Sequence, residues 1–187
     1  MNILIDRLPN EYEGLKINTN FRSFILFELI MQDGNLDERE KITAVLPLFY
    51  ENIDYKDIKK ALQGIIWFYK LGKEDKPKNN DNSEEKKKKN IYSYEHDANY
   101  IYSAFLSQYN VDLQDIEYLH WWKFKALFDG LNDDNKIVEI MGYRAIDLSK
   151  IKDKDEKARY RKLKRQYALP DERTEKEKEQ DFADAFW

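Results

Sequence analysis

Leu119-His120-Trp121-Trp122-Lys123-Phe124-Lys125-Ala126-Leu127-Phe128-Asp129-Gly130-Leu131 is the stretch on which the reading of this chain turns. At about 100° per residue on an α-helix, Phe124 and Phe128 share one stripe, while the two adjacent indoles wrap around the cylinder. More than one face of such a helix needs apolar cover, so other helices have to surround it. Packing of both indoles into the core is the ordinary expectation. The alternative is that one of them faces water and anchors a partner, because tryptophan is over-represented among interface hot spots. Trp121 and Trp122 are thus candidate docking residues, with alanine substitutions expected to differ in effect. His120 falls on the stripe of Ile116, Phe124 and Leu127 and reads as a core or boundary histidine. Asp112 or a neighbour is expected to start this helix, and Gly130 to stop it.

Downstream, Asn132 can cap a brief helix over 136–141 that Gly142 ends, with a positive-φ stop expected there. Asp153 opens a last helix with Tyr160, Leu163 and Tyr167 as its apolar stripe, closed by Leu169-Pro170. Upstream, Thr19 or Asn20 can cap a helix carrying Phe21, Phe24, Ile25, Phe27, Leu29 and Ile30, apolar nearly all round and so expected at the centre. Asp37 can cap a second, with Ile42, Val45, Leu46 and Phe49 at the spacing of one buried stripe and Pro47 set to kink or split it. Asp54 can cap a third, with Ile58, Ala61, Leu62, Ile65, Ile66 and Tyr69 on one side and Gly72 as its stop. Ser93 is a plausible cap for a helix whose buried side holds Tyr94, Ala98, Ile101, Ala104 and Phe105. The first stretch, 3–17, reads as a two-stranded hairpin or an extended lead-in.

Charged residues make up 36% of the 187-residue chain and aromatic residues 14%, a combination unlike the aromatic-poor profile of disorder. The exception is 73–90, rich in Lys and Asn and without apolar residues, which reads as a disordered insertion. Cysteine is absent, which excludes a disulfide framework and thiolate chemistry. No long apolar run suggests a membrane span, so a cytoplasmic setting is expected. A net charge of −4 argues against a general polyanion binder, because nucleic-acid affinity rests largely on phosphate neutralisation. The basic patch Lys157, Arg159, Arg161, Lys162, Lys164 and Arg165 therefore reads first as a solvated helix face.

Marks of catalysis are missing. A zinc site is close to excluded with His96 and His120 as the only histidines and no cysteine. The scattered glycines form neither a phosphate loop nor a nucleophile elbow. Glu95-His96-Asp97 reads as an acidic helix start rather than a metal site. No catalytic residue, metal or cofactor is expected, and the chain reads as a non-enzyme.

The run Trp121–Leu131, with Ile140-Met141-Gly142-Tyr143-Arg144-Ala145-Ile146-Asp147-Leu148 and Tyr160-Arg161-Lys162-Leu163-Lys164 behind it, resembles the bacteriophage gene-product-15 family of tailed phages. The resemblance covers most of 1–169 and is most specific over 119–169. It implies a phage or prophage protein of the tail module, encoded near the major tail protein and the tape-measure protein. Proteins at that position commonly look like tail assembly chaperones, which hold the tape-measure protein while the tube polymerises around it. The residues fit such a role: surplus aromatics, many charges and no nucleotide motif suit a surface that holds an apolar helix. Further partner-binding candidates are Tyr143 and Arg144, and Phe182, Phe186 and Trp187 at the end of the polar tail, where Phe182 and Phe186 at i, i+4 would form one apolar edge of a helix. Docking of those aromatics onto the chain's own core or a second copy is the first reading, ahead of partner recruitment.

The fold expected is thus mainly α, an irregular helical bundle of six or seven helices with a small N-terminal β-hairpin or extended segment. Residues 1–169 form its single helical domain and 170–187 a charged, flexible tail. The function expected is that of a non-enzymatic tail assembly factor, a chaperone for the tape-measure protein or another phage tail protein, in the cytoplasm of the bacterial host. A structural virion component of the tail or head–tail joint is the alternative, with nucleic-acid binding the weaker third, a homo-oligomer possible and no membrane association.

Overall fold

The computed structural model describes residues 2–73 and 90–170. A two-residue bridge organises them. Asn20 and His120 pair antiparallel, with Phe21 N–H donating to Leu119 O at 2.9 Å and Trp121 N–H to Thr19 O at 2.8 Å. Each bridge residue also caps a helix. The Asn20 side chain accepts from Arg22 N at the start of α1 (Phe21–Gln32), and the His120 imidazole accepts from Trp122 N at the start of α5 (Trp121–Asp129). Side-chain acceptors at this position satisfy amides that the helix itself leaves open. The bridge launches α1 and α5 side by side, with Phe21 stacked on Phe124 at 5.0 Å.

The expected start of the tryptophan helix near Asp112 is corrected by this bridge. Residues 111–120 run as turns and a short extended piece, because Arg22 holds their carbonyls. Its guanidinium donates to Leu113 O at 2.7 Å, Ile116 O at 2.9 Å and Gln114 O at 3.2 Å. Carbonyls engaged by a side chain in this way are not available to an α-helical ladder.

α2 (Glu38–Phe49) begins at a reciprocal capping box between Asp37 and Glu40. Pro47 neither splits nor ends it: the ring lies in the last turn, where its missing N–H removes one ladder bond near the helix end. A short 3-10 turn at Tyr55–Asp57 precedes α3 (Ile58–Tyr69), and Asp54 makes no side-chain cap there. The hairpin β1 (Glu11–Tyr12) and β2 (Leu15–Lys16) leans on α3. Gly64 makes that contact possible: a Cβ there would meet Tyr50 Oη at 3.0 Å and Tyr12 Cβ at 3.1 Å.

In the second half, α4 is Ala98–Tyr109, α6 Lys136–Ala145 and α7 Lys154–Gln166. Ser93 caps a turn rather than the helix, its hydroxyl accepting from the amides of Glu95 and His96. Gly142 does not stop α6. It sits inside the helix with a negative φ, and the helix runs on to Ala145 before Ile146 turns away. Asn135, not Asn132, precedes its first turn. Asp153 caps α7 by accepting from Glu156 N at 2.7 Å.

One apolar cluster joins both halves, running from Ile17 and Phe21 through Phe68, Phe105 and Phe124 to Ile137. Three residues expected inside it are exposed: Ile42, Ile66 and Ala98. Each lies at the edge of its stripe, and the core takes Phe68 of α3 in place of Ile66. The observed architecture is the expected one, seven α-helices and a small antiparallel hairpin among the described residues.

Candidate interaction surfaces

Both indoles of the tryptophan helix are sealed. Trp121 is 1% exposed and Trp122 5%. Trp121 lies nearly parallel to Phe24 at 5.2 Å and to Tyr69 at 5.8 Å, and its indole N–H donates to Tyr69 O at 3.3 Å. Trp122 donates to Phe68 O at 2.8 Å and meets Trp67 at 5.4 Å. Both N–H groups thus close the C-terminal turn of α3: Tyr69 O accepts from Trp121, and Phe68 O accepts from Trp122 in addition to Leu71 N–H at 3.0 Å. The docking role considered for these residues is corrected: they are core, and they join α5 to α3. The water-facing indole of the alternative does not exist because α1 and α3 cover both sides of α5.

His120 is 4% exposed. Nδ1 accepts from Trp122 N at 3.0 Å, which leaves Nε2–H to donate to Pro9 O at 3.0 Å. A neutral ring in that tautomer fits both bonds. Burial lowers its pKa, opposed by the Pro9 bond and aided by the Lys123 charge. The histidine is a structural cap tying the N-terminal lead to α5.

Arg144 is a clamp. Its guanidinium pairs bidentately with Asp97, Nη1 to Oδ2 at 2.5 Å and Nη2 to Oδ1 at 2.9 Å. Nε donates to Tyr167 O at 2.6 Å and Nη1 also to Ile91 O at 3.1 Å. The side chains are 9% and 2% exposed. One planar fork thus fixes the end of α7, the segment leading into α4 and α6 together, a task suited to arginine rather than lysine. With four of its five N–H donors bonded internally, Arg144 is a positioning residue for the fold. Tyr143 beside it stacks on Tyr167 at 5.8 Å, and the Lys136 ammonium lies 5.2 Å over the Tyr167 ring. The Lys136 pKa is pushed up to about 12, chiefly by its bond to Glu139.

α7 differs from the rest: none of its residues is buried. Of the basic patch, Arg159, Arg161, Lys162 and Arg165 are exposed and Lys157 half-buried. Lys164 bends inward, donating to Ile146 O at 2.7 Å. It borders a cleft of about 600 Å³ whose other walls are Glu28, Gln32 and Tyr69, with Ile91, Tyr92 and Ala145 between. The Tyr69 hydroxyl donates to Glu28 at 2.7 Å, and burial together with that carboxylate pushes its pKa up. Close by, the Tyr94 hydroxyl is buried without a hydrogen-bond partner among the described residues, and burial raises its pKa too.

Phe182, Phe186 and Trp187 lie outside the described residues, as does most of 73–90. The described residues contain no group of three or more His, Cys, Asp or Glu able to hold a metal, and no helix long and apolar enough to cross a membrane. Sequence reasoning misses Arg22 and Asp97. Asp97 reads as part of an acidic helix start, and nothing in a lone arginine at 22 signals that it will collect three carbonyls.

The conspicuous polar groups of this mainly helical chain brace its own framework, and comparison gives its family. The chain belongs to the family described as Bacteriophage Gp15 protein, whose model matches residues 4–169. Searches of curated proteins and of solved structures find no match. It is a phage protein.

Proposed function

We propose that this protein is a non-enzymatic tail assembly factor that holds the tape-measure protein in the cytoplasm of the infected bacterium. Membership of the phage family carries the reading; the tail-module position implied by the sequence resemblance supplies the partner. The surface offers suitable material. Leu26 and Met31 of α1, Ile42 of α2, Ile66 of α3 and Leu106 of α4 are all exposed, among charged neighbours. An apolar stripe of a long helical client can settle against such residues while charges around them keep the complex soluble.

The experiment is co-expression of this protein with the tape-measure protein of the same phage, one of them tagged, followed by size-exclusion chromatography with light scattering. A soluble complex of defined mass is expected. Precipitation of the tape-measure protein while this chain elutes free would overturn the chaperone reading, and recovery of the chain from purified particles would identify a structural virion component instead.

A further inference from the structure

The cleft beside Lys164 lies next to the point where the described chain stops. Arg144, which lines it, also binds Tyr167 O, three residues before Pro170. Beyond Pro170 the sequence continues with a segment, 171–187, that holds seven acidic and three basic residues and the aromatic set Phe182, Phe186 and Trp187. We propose that this segment docks in cis, seating Phe182 and Phe186 in the cleft between α1 and α3 on one side and α6 and α7 on the other.

Charge, reach and surface agree on that placement. Lys157, Arg161, Lys164 and Arg165 fall at i, i+4, i+7 and i+8, one continuous face of α7. Lys164 stands at the cleft edge of that face, with Arg161 and Arg165 exposed beyond it. The acidic residues between Pro170 and Phe182 can lie back along these cations, leaving Asp181 and Asp184 beside the Lys164 ammonium, which has donors to spare after its bond to Ile146 O. Phe182 lies twelve positions beyond Pro170, a span of up to about 40 Å when extended. That exceeds the roughly 20 Å length of a 13-residue helix, so the segment can turn back and still reach the cleft. Its floor of Tyr69, Ile91 and Tyr92 offers aromatic and aliphatic contact. Tethering makes the encounter intramolecular, which favours it over capture of the same segment from solution. Docking in cis does not depend on the identity of the phage partner.

The absence of cysteine gives a direct test on the full chain. Asp184→Cys carrying a nitroxide, in uniformly ¹⁵N-labelled protein, should broaden the amide signals of Ile91, Tyr92 and Ala145 beyond detection while leaving those of α2 intact. The pattern should persist on dilution. Adding Phe182→Ala and Phe186→Ala should restore the lost signals, and Arg161→Glu with Arg165→Glu should restore them in part. All these positions are exposed or beyond Pro170, so the fold is not at stake. Broadening spread evenly over the surface, or unmoved by the aromatic substitutions, would overturn the proposal. So would the same broadening when spin-labelled, isotope-free protein is mixed with ¹⁵N-labelled protein that carries no nitroxide, since that places the segment on a second copy.

Discussion

α5 and α7 are opposite solutions to holding a helix in place. α5 has nine residues and buries Trp121, Trp122, Phe124 and Phe128; α7 has thirteen and buries none. The shorter helix is held by area removed from water, the longer one by a few directed contacts: the Arg144 fork, the Tyr143–Tyr167 stack and Lys164 on Ile146 O. Area is forgiving of geometry and hydrogen bonds are not. α5 should therefore fail only with the whole fold, and α7 should come away locally.

The largest effects are expected at the indoles. Trp121→Ala should cost about 3–5 kcal/mol, as truncation of a buried aromatic does. Trp122→Ala should cost a comparable amount, because it empties the space of an indole that is 5% exposed and removes its bond to Phe68 O. Urea unfolding followed by far-UV circular dichroism measures both. A near wild-type midpoint for either variant would make that indole a docking residue again and erase the contrast with α7.

Arg144→Met should come next, at about 3 kcal/mol, since it leaves Asp97 buried without its counter-charge. Pairing it with Asp97→Leu should recover part of the loss, because an apolar pair of suitable volume needs no compensation. Limited trypsin digestion gives the local readout. Cleavage within 157–165 should quicken sharply in Arg144→Met while the α5 region stays protected. Equal protection in the two proteins would mean that α7 is held by something other than the clamp.

The contrast between the helices is half visible in the sequence. The crowding of aromatics in 121–128 announces a buried helix, and the capping residues Asn20, Asp37 and Asp153 each start the helix expected of them. Contacts made by two distant segments leave no such trace. The Asn20–His120 bridge joins residues a hundred positions apart, and it is this pairing that shortens the tryptophan helix. The Asp97–Arg144 pair likewise has no local signature, so in the sequence Arg144 stands out only as a possible docking residue. Gly142 shows a different limit. Glycine near an apolar run is ambiguous between a stop and a tolerated interior position, and the packing that decides is three-dimensional.

His120 should give α5 a modest sensitivity to acid. Its folded pKa is lowered by burial, so the unfolded chain takes up a proton more readily than the folded one, and stability falls as the pH drops. The contribution is complete above the ordinary histidine value of about 6.5 and is lost as the pH falls through the lower folded value. Protonation also removes the Nδ1 acceptor from Trp122 N. His120→Asn keeps a capping oxygen without a titrating ring, so its unfolding midpoint should vary less with pH below about 6.5 than that of the parent. Identical slopes would show that the ring adapts to its charge. Asp112 and Asp147, both held below the usual carboxylate range by local hydrogen bonds, set a separate loss at lower pH, where they protonate.

The smallest effect has an informative sign. Gly72 and Gly142 both lie near helix ends in the sequence reading, but their surroundings are opposite. Gly72 has φ +69°, and a Cβ there would come within 3.0 Å of the Trp122 ring. Gly142 has an ordinary helical φ and open space where a side chain would go. Gly72→Ala is expected to destabilise by about 1–2 kcal/mol, from an unfavourable left-handed backbone together with pressure on the indole. Gly142→Ala should instead stabilise by about 0.5–1 kcal/mol, by lowering the entropy of the unfolded chain. One substitution with opposite signs at the two sites follows from a packed wall around the tryptophans and an unfilled surface on α6. Loss of stability in Gly142→Ala would place an unseen neighbour against that surface and make α6 part of an interface.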